Sequence, residues 1–233
     1  MKVRQLFDQD TWTYTYLLWD EASKEAAIID SVKEKFERDS QYIKDLGLNL
    51  KYALETHVHA DHVTAAGQLR EMFGAKVAIH ADGGAKCADV QMRDGDVFKL
   101  GAQEIRALHT PGHTNGDVSF AIDGAVFTGD ALLIRACGRT DFQQGSSETL
   151  YHSINEKLFS MADETIVYPG HDYAGFTQSS IGEEKALNPR LANQKPKEDF
   201  MHIMDTMNLP KPKRIDVAVP GNLVCGLDDD KAA

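Results

Sequence analysis

Thr56-His57-Val58-His59-Ala60-Asp61-His62 places three imidazoles and one carboxylate within a single short stretch. All four side chains are borderline or hard metal ligands. No regular helix aims them at one point, because their spacings follow neither i,i+3 nor i,i+4 throughout. On a strand, positions 57, 59 and 61 would share a face and 62 would point away. A loop leaving a strand can wrap all four round a small centre. Leu50-Lys51-Tyr52-Ala53-Leu54-Glu55 reads as a strand running into the motif. The implied chemistry is a site for one or two metal ions.

Three more strand ends carry one candidate ligand each: His113 after Thr110-Pro111-Gly112, Asp130 after Thr128-Gly129, and His171 after Pro169-Gly170. A glycine directly before each ligand lets the backbone approach a crowded centre. Ligands delivered from several strand ends of one sheet edge are how layered α/β folds build sites. His80, His109, His152 and His202 sit in or beside regular elements and read as structural or surface histidines. His109 is nearest the site in the chain and is a candidate to brace a ligand.

The elements that must position these groups are legible in order. Tyr14–Trp19 and Ala26–Ile29 read as a β-hairpin, and Asp30 ends its second strand. Val32–Leu46 has helical spacing and meets Gly47; Thr64–Phe73 is a helix stopped by Gly74. Lys76–His80 is a strand, broken by Asp82-Gly83-Gly84. Asp96–Leu100 and Gln103–Leu108 pair across Gly101-Ala102, and Val118–Ile122 pairs with Ala125–Thr128 across Asp123-Gly124. A loop over Leu132–Gly145, a helix over Glu148–Phe159 and a strand over Thr165–Tyr168 follow. Ile181–Leu187 and Lys197–Met207 are helical, and Ile215–Val219 is strand-like. Hairpin-rich clusters separated by helices predict mixed α/β layers rather than a strict βαβ alternation. The expected domain is single, over 1–226, with an acidic disordered end over 227–233.

The 233 residues are 42% hydrophobic and 26% charged, enough to bury a sizeable core. A formal charge of −11 argues against a nucleic-acid partner, because phosphate binding needs a basic face. Three cysteines, Cys87, Cys137 and Cys225, make no disulfide framework and suit a reducing compartment. No apolar run would span a membrane, and the N-terminus has neither signal nor transit character. The expected location is cytoplasmic.

The set His57-x-His59-x-Asp61-His62 with His113, Asp130 and His171 resembles the metallo-β-lactamase superfamily. That resemblance implies an αββα sandwich, two mixed sheets flanked by helices, with its metal site at one edge. The run Phe127–Gly145 is similar to the glutathione-linked persulfide dioxygenases, and Gly138-Arg139-Thr140-Asp141-Phe142-Gln143 is its most specific part. Tyr168–Tyr173, Leu187–Leu191 and Val219–Asn222 share the resemblance.

The family resemblance implies one Fe(II) per chain, bound by His57, His113 and Asp130. Two imidazoles and a carboxylate leave open positions for a persulfide sulfur and O₂. The implied reaction oxidises glutathione persulfide to sulfite and glutathione. His59, Asp61, His62 and His171 would then hydrogen-bond to ligands and waters. Resemblance to glyoxalase II, a hydroxyacylglutathione hydrolase, keeps a dizinc reading open: His59 joins the first ion, and Asp61, His62 and His171 hold a second. A non-catalytic metal or sulfide sensor would be favoured by loss of a ligand, and none is lost. Glutathione's two carboxylates call for cationic and hydroxyl donors. By the resemblance these are Arg139 and Tyr173, with Arg214, Lys211 or Lys213 from the tail. Cys137 reads as a small buried residue. The family also implies a homodimer and, since no rhodanese domain is fused, a separate rhodanese-type sulfurtransferase partner.

Overall fold

The computed structural model describes residues 1–227. The acidic end expected over 227–233 lies outside the described residues except for Leu227, which is buried and packs over Gly67.

One sheet has six strands in sequence order: β1 (Lys2–Asp8), β2 (Thr13–Trp19), β3 (Glu25–Ile29), β4 (Asn49–Leu54), β5 (Lys76–His80) and β6 (Val90–Met92). The second sheet is built from β7 (Val97–Leu100), β8 (Gln103–His109), β9 (Val118–Ile122), β10 (Ala125–Gly129), β11 (Ile166–Pro169) and β12 (Ser179–Ser180), again in chain order. Both sheets are mixed. β3, β4, β5 and β6 run parallel, as do β10 and β11, and the remaining pairs are antiparallel.

The two-residue period of the strands builds the layers. Tyr16, Leu18, Ala27, Ile29, Leu54 and Ala78 face the second sheet, where they meet Ile105, Ala107, Phe120 and Phe127. Their neighbours Leu17, Ile28, Ala53, Val77 and Ile79 face outward, against α1 (Phe36–Asp45) and α2 (Ala66–Phe73). Val126 and Val167 turn to the other outer layer. That layer holds α3 (Ser147–His152), α4 (Ile181–Leu187) and α5 (Lys197–Asp205). The order helix, sheet, sheet, helix is the αββα sandwich that the resemblance implies.

Several expectations are corrected. β1 escapes the sequence reading because it is an edge strand, with only Leu6 and Asp8 buried. The single helix expected over 148–159 is α3 followed by a π-helical stretch, Ser153–Leu158, in which Phe159 N–H reaches Ile154 O. The wider turn keeps Ile154 and Leu158 in the core. Ile215–Val219 is not a strand. It begins α6 (Ile215–Leu223), whose Ala218 and Asn222, four apart, share the buried face. Cys87 and Cys225 form a disulfide, so the cysteine count carries no argument about compartment. Cys137 is the buried free thiol, as expected.

Strand direction decides where the site lies. β3, β4 and β5 end at the same edge; so do β8, β10 and β11, because β8 and β10 are both antiparallel to β9. β2 starts there, and Tyr14 N–H donates to Gly170 O at 2.8 Å, tying the two sheets together. Tyr16 adds a second tie through its hydroxyl, which donates to Pro169 O at 2.6 Å.

Gly112 shows how tightly the edge is built. Its φ is +142°, and a Cβ there would lie 2.4 Å from the Leu150 Cα and N. Gly112→Ala is expected to cost on the order of 3 kcal/mol. Thermal unfolding should show a Tm roughly 10 °C lower; an unchanged Tm would refute this account of the turn.

Candidate metal centre

Each ligand stands just past a strand end. The His57 loop follows β4, the His113 turn follows β8, Asp130 follows β10 and His171 follows β11. Gly170 is required by contact, since a Cβ there would sit 2.8 Å from Asp130 Oδ1.

His57, His113 and Asp130 offer three ligand atoms within 4.8 Å of one another. The hydrogen bonds behind the rings decide which nitrogen is basic. The Thr56 hydroxyl donates to Asp30 Oδ2 at 2.8 Å, so its proton is committed. The contact of 2.9 Å between Thr56 Oγ1 and His57 Nδ1 must then be donated by the ring N–H. His57 therefore keeps its lone pair on Nε2. His113 Nδ1–H donates to Arg139 O at 2.7 Å and likewise keeps its lone pair on Nε2, 3.7 Å from Asp130 Oδ2. Burial, followed by the neighbouring His59 and His113, pushes the His57 pKa well below the usual imidazole range. A neutral ring is the metal-binding form.

The remaining four motif residues play two different parts. His59, Asp61 and His62 form a second group with ligand atoms within 4.8 Å. In it, His59 Nδ1 and His62 Nε2 are buried without a hydrogen-bond partner. His59 Nε2 faces Asp30 Oδ1 at 3.2 Å and Glu55 Oε2 at 3.3 Å. His171 is engaged on both sides, with Nδ1 2.7 Å from Asp130 Oδ1 and Nε2 3.1 Å from Asp61 Oδ2. Its Nε2 contact to Asp61 sets it directly beside the second group. Burial alone would depress the pKa of both rings. The carboxylates outweigh it and hold both well above the usual range: Asp30 and Glu55 for His59, Asp130 and Asp61 for His171. Burial would raise the Asp61 and Asp130 pKa values, but their imidazole neighbours hold both carboxyls well below the ordinary range.

A cavity of about 680 Å³ opens above this floor. Leu133, Ile134, Leu209 and Pro210 are among its lining, with Arg139, Tyr173, Arg190, Lys211, Lys213 and Arg214. Three of the expected glutathione contacts already have protein partners. Arg139 forks onto Asp141 at 2.6 and 2.7 Å and donates to Pro210 O at 2.7 Å. Arg214 pairs with Glu34, and Lys211 with Asp216. Tyr173 is exposed at the mouth, its ring parallel to that of His171. His109, a candidate brace in the sequence, stacks on His80 and donates through Nε2 to Asn115 O, beside the turn that carries His113.

Sequence reasoning missed five supports. Thr13 donates to Asp61 Oδ2 at 3.0 Å and touches His171 Nε2 at 3.2 Å. Asp30, Glu55 and Thr56 hold the first ligand loop. Asn222 Nδ2 donates to His59 O and His62 O, both at 2.9 Å, while its Oδ1 accepts from Thr64 N. Only Asn222 carried a signal, as part of the Val219–Asn222 run. Arg190, from the Leu187–Leu191 run, donates to Cys137 O at 2.6 Å beside the cavity.

A two-layer sandwich with a His/Asp metal centre at the sheet edge defines a class. The chain belongs to the metallo-beta-lactamase superfamily, which it matches over residues 13–171. Within it the chain is 50% identical over 228 residues to "Persulfide dioxygenase ETHE1, mitochondrial" of Bos taurus, covering 97% of this chain and 89% of the relative. It superposes on the crystal structure of ETHE1 from Myxococcus xanthus with a TM-score of 0.95, at 52% identity, covering 97% of this chain and all of that one. The hydroxyacylglutathione hydrolase GloC of Haemophilus influenzae is more distant, 38% identical over 75% of this chain and 91% of its own length. The chain is a member of the persulfide dioxygenase family.

Two consequences can be measured. Asn222→Ala leaves two carbonyls and one N–H of the ligand loop unpaired. It should lower unfolding free energy by about 1–3 kcal/mol and weaken metal retention roughly tenfold against a chelator; chelator competition identical to wild type would refute that role. Asp117 accepts from Thr114 N and Oγ1, yet burial pushes its carboxyl up to about 6. Its folded pKa lies above its unfolded one, so its contribution to stability is complete below about pH 4 and is lost as pH rises through 6. In metal-free protein, the stability of wild type relative to Asp117→Asn should fall by up to about 3 kcal/mol between pH 4 and 7. A constant difference in denaturant unfolding across that range would count against it.

Proposed function

We propose that this chain oxidises glutathione persulfide with O₂ to sulfite and glutathione, using one Fe(II) held by His57, His113 and Asp130. The observation that carries the reading is the convergence of two imidazole Nε2 atoms and one carboxylate at the floor of a cavity. It occurs in a chain half-identical to a persulfide dioxygenase along nearly its whole length. The donor set fits the ion, because two neutral imidazoles and a carboxylate suit iron in a facial arrangement with open positions. When bound, the iron supplies the redox link between sulfur and O₂, which zinc cannot.

The chain's own residues do the rest. Thr56 and Arg139 O hold the two imidazoles in the binding tautomer. His171 holds a proton between Asp130 and Asp61, fixing the ligand carboxylate from behind. Leu133, Ile134, Leu209 and Pro210 exclude water from the reacting sulfur. Lys211, Lys213 and Arg214 line the rim where the peptide carboxylates of the substrate would lie, and Lys211 and Arg214 would exchange Asp216 and Glu34 for them. Arg139 acts through Asp141 and Pro210 to hold that rim segment in place. A homodimer and a separate rhodanese-type sulfur donor belong to the same proposal.

One observation favours a second reading. His59, Asp61 and His62 form another candidate ligand group with two partnerless ring nitrogens, as a dimetal thioester hydrolase would need. Metal content, O₂ uptake with glutathione persulfide, and hydrolysis of S-lactoylglutathione separate the two. The expected result is one iron per chain, O₂ uptake and no thioester hydrolysis. Two zinc ions per chain with hydrolysis and no O₂ uptake would overturn the proposal.

A further inference from the structure

Two histidines outside the metal centre come together across the sandwich. His80 ends β5 of the first sheet and His109 ends β8 of the second. Their rings stack with centroids 3.9 Å apart and planes 13° apart. Asp82 lies in the turn after β5, and the three side chains each offer a ligand atom within 4.8 Å of the others. Neither histidine forms a hydrogen bond, ion pair or ring contact with His57, His113 or Asp130 among the described residues.

The hydrogen bonds set both tautomers. Asp82 N–H donates to His80 Nδ1 at 3.2 Å, so that nitrogen carries a lone pair, and Asp82 Oδ2 lies 3.8 Å from it. His109 Nε2–H donates to Asn115 O at 2.9 Å, which leaves Nδ1 as the basic nitrogen. Burial, then the neighbouring His109, pushes the His80 pKa down, which keeps that ring in the neutral form metals require. The surrounding charges are balanced: Asp94 takes Lys157 Nζ at 2.9 Å and the His109 N–H at 2.8 Å. Arg93 opposes Asp82 and Asp94 at His80. The Asp82 side chain is 60% exposed and can turn onto an ion without disturbing the core.

We propose that His80, Asp82 and His109 form a second metal site, separate from the iron centre, for a borderline divalent cation such as Zn²⁺. Two imidazoles and one carboxylate suit Zn²⁺, Co²⁺ or Ni²⁺ rather than Ca²⁺ or Mg²⁺, which favour all-oxygen shells. The ion replaces the long Asp82 N–H contact, spreads the stacked rings, and takes water at its remaining positions. It also bridges the two sheets at their functional edge. His109 and Asn115 flank the turn that carries His113, so the ion stiffens that turn from behind.

The test uses the full chain loaded anaerobically with iron, titrated with Zn²⁺ by calorimetry, with iron content measured before and after. Wild type should take up one equivalent of zinc and lose no iron. Asp82→Ala, which alters only an exposed side chain, should bind zinc at least tenfold more weakly. His80→Ala/His109→Ala should lose the equivalent, and both variants should keep wild-type iron content and O₂ uptake in zinc-free buffer. The proposal is overturned if wild type binds no zinc, if zinc uptake is matched by iron release, or if the equivalent persists in His80→Ala/His109→Ala.

Discussion

The metal centre hangs on the carboxylate of Asp30. This side chain is 1% exposed and, among the described residues, has no cation beside it other than a histidine ring. A buried carboxylate must be satisfied by hydrogen bonds or paired charge. Asp30 turns through a left-handed φ of +52° directly after β3, and its oxygens accept from Thr56 N and Thr56 Oγ1. One group thereby fixes the start of the ligand loop, commits the Thr56 proton and dictates the His57 tautomer. It also fixes His59, whose Nε2 lies 3.2 Å from Asp30 Oδ1. Remove that acceptor, and the orientation of two motif histidines is no longer determined.

The sandwich exists to keep such groups at one edge. Parallel strands end together, so β3, β4 and β5 deliver Asp30, the His57 loop and His80 side by side. β8, β10 and β11 deliver the His113 turn, Asp130 and His171 opposite them. The interlayer core of Tyr16, Leu18, Phe120 and Phe127 sets the spacing between these two rows. Cores of that density move little, which is why hydrogen bonds such as Tyr16 to Pro169 can register ligands from different sheets.

Charge is partitioned with equal care. His57 sits buried among other imidazoles, which push its pKa down, whereas His59 and His171 each lie between two carboxylates, which raise theirs. Chemically identical side chains are thus given different proton affinities by what stands behind them. The C-terminal helix α6 takes part through Asn222, and the Cys87–Cys225 disulfide anchors that helix to the region after β5.

The amino-acid pattern alone determined the principal strands and helices, the layered α/β class and all seven imidazole and carboxylate candidates. Those features are local: apolar periodicity, turn glycines and ligand spacing are written within a few residues. β1 was illegible because an edge strand buries little, and Ile215–Val219 misled because β-branched residues yielded to the demand that Ala218 and Asn222 face inward. Tertiary structure alone decided that His171 binds two carboxylates, that Arg139 is committed to Asp141 and Pro210, and that Cys87 meets Cys225. It also decided that Asp30, Thr13 and Asn222 support the centre. Apart from the Arg139–Asp141 pair, which spans two positions, these are contacts between residues tens to more than a hundred positions apart. The chain could name the groups able to bind a metal; only the packing of two sheets could say which of their atoms remain free to do so.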